Sequence, residues 1–411
     1  MGVENNIPEG WVDTTLDGIC DKMYSGGTPS TKRDDYYGGD IPWIRTQEVK
    51  FNYILDAEIK ITELGLKNSS ARYIPKNTII IAMYGNSAGR VAYSKIEATT
   101  NQACCNFVSD KDKCDPSFVY FNLLGRYREI EGKANGAAQQ NLSVGVLKEL
   151  SINLPPIQEQ KAIANVLTAF DDKIELLKVQ SKTLESMAQT IFAAWFGKCQ
   201  IGDELPEGWR VGEINDLVEV VIDNRGKTPP LIDQSNESYP LIEVNSITGD
   251  DRNVNLALGK KFVDEETYQN WFRKGHPQNG DILLSTVGSI GQLAQVFNEK
   301  ICVAQNIVAL RSNTSGNFLY ELLKKNQKLI INLDISSVQP SIKVPHLISM
   351  PVVIPKLELI QQFDRVVNKI TIKITSNNQQ IQSLIKTRDT LLPKLMSGQV
   401  RVNNIKQTAN A

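Results

Sequence analysis

The chain has 411 residues, 41% of them hydrophobic and 22% charged, with a formal net charge of −1. That length carries two or more domains with ample surface to bury, and the composition is that of a soluble globular protein. The charge excludes a chain that grips nucleic acid through a large basic excess of its own. It either leaves nucleic acid alone or binds it with help.

The N-terminus, MGVENNIPEG, lacks a basic segment followed by an apolar core, so it does not read as a signal peptide, and Asn6 breaks the myristoylation pattern. No apolar run reaches the roughly 18 residues of a membrane span. TIIIAM at Thr78–Met83 is strand-sized. Cys20, Cys104, Cys105, Cys114, Cys199 and Cys302 form no Cys-x-x-Cys pair, and His276 and His346 are the two histidines. The expectation is reduced thiols in a cytoplasmic protein with no structural metal.

The pentapeptide IPEGW at Ile7–Trp11 returns as LPEGW at Leu205–Trp209. Between these points, β-rich runs such as NTIIIAM are separated by Gly, Asn and Asp turns, and a helical run covers Phe118 to Arg128. The segment ending at Pro155 aligns without gaps with the one ending at Pro355: Gln139 meets Gln339, Leu142 Ile342, Leu147 Leu347, and Ile152 Val352. Past Pro155-Pro156 the apolar residues fall at Ile163, Leu167, Phe170, Ile174, Leu177, Leu184, Ala188, Ile191 and Trp195, with Ser181 in the one polar slot. These steps of four and three are a heptad seam. The second half repeats the block, with GDILLST, NIVAL and a helical run from Phe318 to Leu329. It then repeats the seam in the same phase, at Phe363, Val367, Ile370, Ile374, Asn377, Ile381, Leu384, Arg388, Leu391 and Leu395. Two such periods in phase mark an internal duplication.

The expected fold is α+β: two α+β blocks related by a pseudo-two-fold axis and separated by two long antiparallel helices in a coiled-coil-like spacer. The boundaries are 1–155 for the first block, 156–200 for the central helix, 201–355 for the second block, 356–402 for the C-terminal helix and 403–411 for a tail. Gly197 and Gly398 mark the helix ends. A helix from Ile163 to Trp195 spans on the order of 50 Å at 1.5 Å per residue. With the axis at the middle of the seam, Ser181 faces Asn377, Leu177 faces Ile381, Leu167 faces Leu391, Ile174 faces Leu384, Leu184 faces Ile374 and Trp195 faces Phe363. Ile191 and Val367 complete the contact. The alternative is a coiled coil that dimerises between chains.

Enzyme motifs are missing. RGKTPP at Arg225–Pro230 lacks the first glycine of a Walker loop, and Pro229-Pro230 forbids the helix that should follow. GNSAGR at Gly85–Arg90 lacks dinucleotide-binding spacing, and LPPI at Leu154–Ile157 is not the Asn/Asp-Pro-Pro-aromatic motif of amino-methyltransferases. No catalytic residues are assigned; the chain reads as non-catalytic.

A duplicated, non-catalytic chain of two blocks on antiparallel helices resembles the specificity subunit of type I restriction–modification systems, over essentially its whole length. The local markers are the two PEGW entrances, GGTPS at Gly26–Ser30 with its echo GKTPP, IPWI at Ile41–Ile44, TNQA at Thr100–Ala103 with AQNI at Ala304–Ile307, LPPIQEQKAI at Leu154–Ile163, and LLPKLMSGQVRV at Leu391–Val402. The second copy departs from the Pro-x-x-Glu-Gln pattern, reading IPKLELIQQF. The resemblance implies target recognition domains that each read half of a split double-stranded DNA target in the major groove. It also implies helices that set the gap and dock two modification (methyltransferase) subunits, plus restriction (translocase/nuclease) subunits. S-adenosylmethionine, ATP and Mg2+ would then belong to those partners, with no cofactor on this chain.

Base reading needs Arg, Lys or small polar and amide side chains on loops. The candidates are Thr28, Lys32, Arg45, Gln47, Tyr84, Asn86, Ser87, Arg90, Asn101 and Gln102 in the first block. In the second they are Arg225, Lys227, Thr228, Asn245, Ser246, Thr286, Ser289, Gln292, Gln305 and Asn306. Gly-Thr-Pro and Asn-Gln segments also close turns through side-chain-to-backbone bonds, so each candidate has a structural alternative. The rival functions are a bivalent protein-binding scaffold and the specificity subunit of an orphan methyltransferase without a restriction partner.

Overall fold

The computed structural model of the chain describes residues 7–402 other than 136–140, 225, 227, 250, 298–299 and 337. The tail at 403–411 lies outside them. The chain forms two compact units, Met1–Ile174 with Ser383–Ala411, and Glu175–Gln382. Their limits differ from the expected chain-order segments. Each unit takes one block together with part of both long helices, Ile157–Phe196 and Leu357–Met396.

In the first unit a five-stranded sheet runs in the order Cys20–Ser25, Cys104–Ser109, Ile79–Ala82, Val91–Ser94, Asn52–Ile54. In the second, Val218–Asp223, Ile307–Ser312, Ile282–Ser285 and Leu293–Gln295 repeat the first four places of that order. The central strands are buried on both faces, which is why NTIIIAM reads as a continuous apolar run rather than an alternating one. Ile79 and Ile81 face the helix Pro116–Gly125 and the long helices, while Ile80 and Ala82 face a smaller sheet. Ile282 and Leu284 divide from Leu283 in the same way. The smaller sheets also correspond: Tyr37–Ile44 runs parallel to Ala98–Thr100, and Tyr239–Ile242 parallel to Cys302–Val303.

Each repeated pentapeptide is a turn that closes its block. Trp11 N donates to Pro8 O at 3.0 Å, and Trp209 N to Pro206 O at 3.0 Å. Gly10 and Gly208 sit at φ +82° and +78°, a conformation glycine adopts without strain. The turns feed the strands Val12–Thr15 and Arg210–Glu213, which pair antiparallel with Ser151–Leu154 and Pro351–Ile354. The beginning of each block is thereby tied to its end.

The expected single helices at Phe118–Arg128 and Phe318–Leu329 are each broken. Pro116–Gly125 is followed by Tyr127–Asn135, and Gly316–Lys325 by Gln327–Ile331. Arg126 and Asn326 hold φ/ψ near −104°/14° and −94°/11°, which stops the helical ladder there.

Within each unit the long helices pack antiparallel. In the second unit Asn377 is fully buried, and its Nδ2 donates to Gln180 Oε1 at 3.0 Å and Ser181 Oγ at 3.2 Å. Phe363 packs edge-to-face against Phe192 and Trp195, with ring centroids 5.6 and 6.1 Å away. In the first unit, Ile163 and Leu167 share a core with Leu392 and Leu395, and Arg388 donates to Asp171 Oδ1 at 2.6 Å. Leu167, Ile174, Leu177, Phe363, Val367, Ile374 and Ile381 are buried, whereas Ser181, Leu184, Ile191, Trp195, Leu384 and Leu391 are half-buried. Glu185, Phe192, Phe196 and Leu392 are more deeply placed than their seam neighbours. Toward its ends each helix faces a block as well as the other helix, so the buried stripe widens from a 3.5-residue seam to a 3.6-residue face.

The two helix starts are fastened differently. Gln160 is buried; its Oε1 accepts from Asp115 N at 2.8 Å and its Nε2 donates to Pro155 O at 2.8 Å. The residue in its place in the second copy is Ile360, buried in the apolar core. There Ser315 Oγ and Asn317 Nδ2 donate to Asp364 Oδ1, at 2.5 and 2.9 Å.

Sequence reading missed Arg252. Its side chain is fully buried in the second unit, donating from Nε to Glu185 Oε2 at 3.0 Å and from Nη2 to Glu321 Oε1. Its guanidinium lies 4.0 Å from the ring centroid of Tyr320. This network joins the first long helix to the second block.

Candidate nucleic-acid interface

In the first unit, GGTPS, IPWI and TNQA converge on one place. Gly26 N donates to Cys104 O at 3.0 Å and Gly27 N to Thr100 O at 2.8 Å. Trp43 Nε1 donates to Gly27 O at 3.0 Å, and Asn101 N to Ile44 O at 3.0 Å. A Cβ on Gly26 would lie 2.2 Å from Thr100 O, and one on Gly27 2.2 Å from the Ser70 carbonyl carbon. Only glycine allows this approach, and the approach places Thr28 beside Gln102, where Thr28 Oγ1 donates to Gln102 Oε1. Gly27→Ala should therefore lower the unfolding free energy of the first unit by roughly 1–3 kcal/mol or more, because rigid backbone cannot yield to the methyl group. A urea melt checks this; an unchanged midpoint would mean the loop opens freely.

The neighbouring turn holds Tyr84, Asn86, Ser87 and Arg90. Gly85 and Gly89 take φ +65° and +83°, and Ser87 Oγ donates to Tyr84 O at 3.2 Å. Met83 N donates to Ala103 O at 2.9 Å, which joins this turn to the Asn101–Gln102 loop. Tyr84, Asn86 and Gln102 are exposed, and Thr28, Ser87, Arg90 and Asn101 half-buried. Lys32 and Gln47 are exposed on other loops. Arg45 is committed to carboxylates: its Nη2 donates to Glu58 Oε2 at 2.8 Å and its backbone N to Glu48 Oε1 at 3.0 Å.

The second unit builds the same scaffold. Ala304 N donates to Ile242 O and Thr286 N to Asn306 O, both at 2.9 Å. A cavity of about 420 Å³ is lined by Thr228, Gln305 and Asn306 together with Asn224, Trp271 and Gln339. A second, of about 520 Å³, is lined by Asn245, Ser289 and again Asn306. Glu243 at the first cavity is paired with Lys261 at 2.7 Å. Gln292 Oε1 accepts from Gly249 N at 3.4 Å. Arg225 and Lys227 lie outside the described residues.

Two expected readers are corrected. Ser246 and Thr286 are each 1% exposed and cannot reach a ligand from the surface. Thr286 closes the sheet end, and Ser246 lies in a one-turn helix whose Val244 and Ile247 pack into the core while Asn245 stays exposed. Trp271, Asn224 and Gln339 line the first cavity without having been singled out from the sequence. The run Trp271-Phe272-Arg273-Lys274, aromatic beside basic, was the available signal. Among the described residues, no group of three or more His, Cys, Asp or Glu could hold a metal ion, and no helix is long and apolar enough to cross a membrane.

The family described as type I restriction modification DNA specificity domain matches residues 8–186 and again residues 206–386. The chain is 29% identical over 425 residues to the type I restriction enzyme MjaIX specificity subunit of Methanocaldococcus jannaschii, covering 97% of this chain and 95% of that one. It is 30% identical over 172 residues to the EcoR124I/EcoR124II specificity subunit of Escherichia coli, covering 40% and 42%. Among solved structures, the S subunit of a type I restriction–modification system from M. genitalium shares the fold with a TM-score of 0.57 at 20% identity, over 96% of this chain and 98% of that one.

Proposed function

The chain belongs to the type I restriction modification DNA specificity family, and we propose that each of its blocks reads one half of a bipartite DNA target from the major groove. The observation that carries this is the repetition of one loop scaffold: Thr28 meets Gln102 in the first unit, and Thr228 and Gln305 line one cavity in the second. The long helices set the gap between half-sites and dock two modification subunits; restriction subunits complete the assembly in the cytoplasm. Chemistry belongs to those partners, which use S-adenosylmethionine, ATP and Mg2+. The near-neutral charge fits such sharing, because phosphate contacts give affinity without sequence information and partners can supply them.

The test is an exchange of residues 1–155 for those of another family member, expressed with the modification subunits, followed by mapping of methylated adenines. One half-site should change and the other stay. A change in both, or in neither, would overturn the modular reading.

A further inference from the structure

We infer that the cavity walled by Trp271 in the second unit receives a nucleobase that has left the stack within the half-site read by that block. This rests on the reading of the block as a DNA-recognition domain and adds a ligand class and a pocket to it.

The two blocks differ at this place. In the first unit Gly27 lets its loop close against Ser70 and Ala71, with no room for a single added carbon. The residue aligned with Gly27 in the second copy is Lys227, and the segment aligned with Ser70 and Ala71 carries Trp271 and Phe272. Both follow a short strand and a capped helix: Lys60–Ile61 and Glu63–Lys67 in one unit, Phe262–Val263 and Glu265–Asn270 in the other. Where the first block is shut, the second holds about 420 Å³ of space, within the ~300–1,000 Å³ of ordinary small-ligand pockets. The segment is held there by Asn224, whose Nδ2 donates to Gly275 O at 3.2 Å.

The lining selects the ligand. Trp271 is 40% exposed, a large aromatic side chain left open at a cavity. Gln305, Asn306 and Gln339 supply amides that can both donate and accept. The Oδ1 of Asn306 is buried without a hydrogen-bond partner, an unmet acceptor that a turn of its amide toward a ligand in the cavity would relieve. Among the described lining residues the charged ones, Glu243 and Lys261, neutralise each other. A phosphate would meet a carboxylate there with its cation already engaged, so the site suits a neutral, flat, hydrogen-bonding group. A base inside a duplex has both faces covered by its neighbours. Only an unstacked base can offer a face to Trp271 and an edge to the amides.

An abasic scan of the half-site tests this in the full complex with the modification subunits. Each nucleotide of the half-site is replaced in turn by an abasic one, and binding is compared between wild type and Trp271→Ala. At one position the abasic substitution should weaken wild-type binding about tenfold or more yet leave Trp271→Ala almost unaffected. Gln305→Ala, also at an exposed residue, should behave alike, while Trp271→Phe should restore the wild-type response. The first block's half-site should be unchanged in every variant. Equal responses of wild type and Trp271→Ala at every position would overturn the proposal, even where the variants remain folded and bind. Exchange of residues 201–355 that left this half-site unaltered would instead show that the block does not read it.

Discussion

Arg252→Met should cost the second unit about 3–5 kcal/mol of stability, because it leaves Glu185 and Glu321 buried together without their cation. The loss should depend on pH. Burial pushes the Glu321 carboxyl up from its ordinary 4.5 to about 7, against the pull of Arg252. An acid whose folded value is raised binds its proton more tightly in the native state. Its contribution is therefore fully present below about 4.5 and lost as pH rises through about 7. In the variant the pull is gone, so the deficit should be greatest above pH 7 and shrink toward pH 5 as Glu321 takes up its proton. Urea melts of the second-unit transition at several pH values measure this. A deficit flat across that range would show that the carboxylates find solvent once Arg252 is removed. Replacing Glu185, Arg252 and Glu321 together with apolar residues of similar volume should recover most of the loss, since the desolvation cost goes with the charges.

Phe363→Ala should lower the stability of the same unit by about 3–5 kcal/mol. Phe363 is fully buried at the hub of a ring cluster, with centroids 5.3 Å from Phe196, 5.6 Å from Phe192 and 6.2 Å from Phe318. It joins both long helices to the helix Gly316–Lys325, so its removal opens a cavity where three elements meet. Phe363→Leu should retain most of the stability because it refills most of that volume. Leu384→Ala, at a half-buried seam position, should cost less than Phe363→Ala. Equal losses at the two positions would show that the helix pairing, and not the ring cluster, carries the second unit.

The sequence by itself determined the duplication, the two long helices and the loops that meet at each candidate interface. These are local signals, written in short periods or in repeated words. A 3.5-residue repeat can be read without knowing what it packs against, and PEGW can be matched to its copy because both make the same turn. What only the tertiary structure decided depends on residues far apart in the chain. Arg252 finds Glu185 and Glu321 across separations of 67 and 69 residues, and a lone arginine in DDRNVN carries no sign of either. Ser246 and Thr286 are polar and lie beside turns, which reads as exposure; the sheets above them decide otherwise. Glu185, Phe192 and Phe196 enter the core because each helix end meets a block, a surface that a periodicity cannot register. Whether a loop shuts, as at Gly27, or leaves a cavity, as at Trp271, depends on a second segment more than 40 residues away approaching within van der Waals distance, and sequence spacing does not encode that approach.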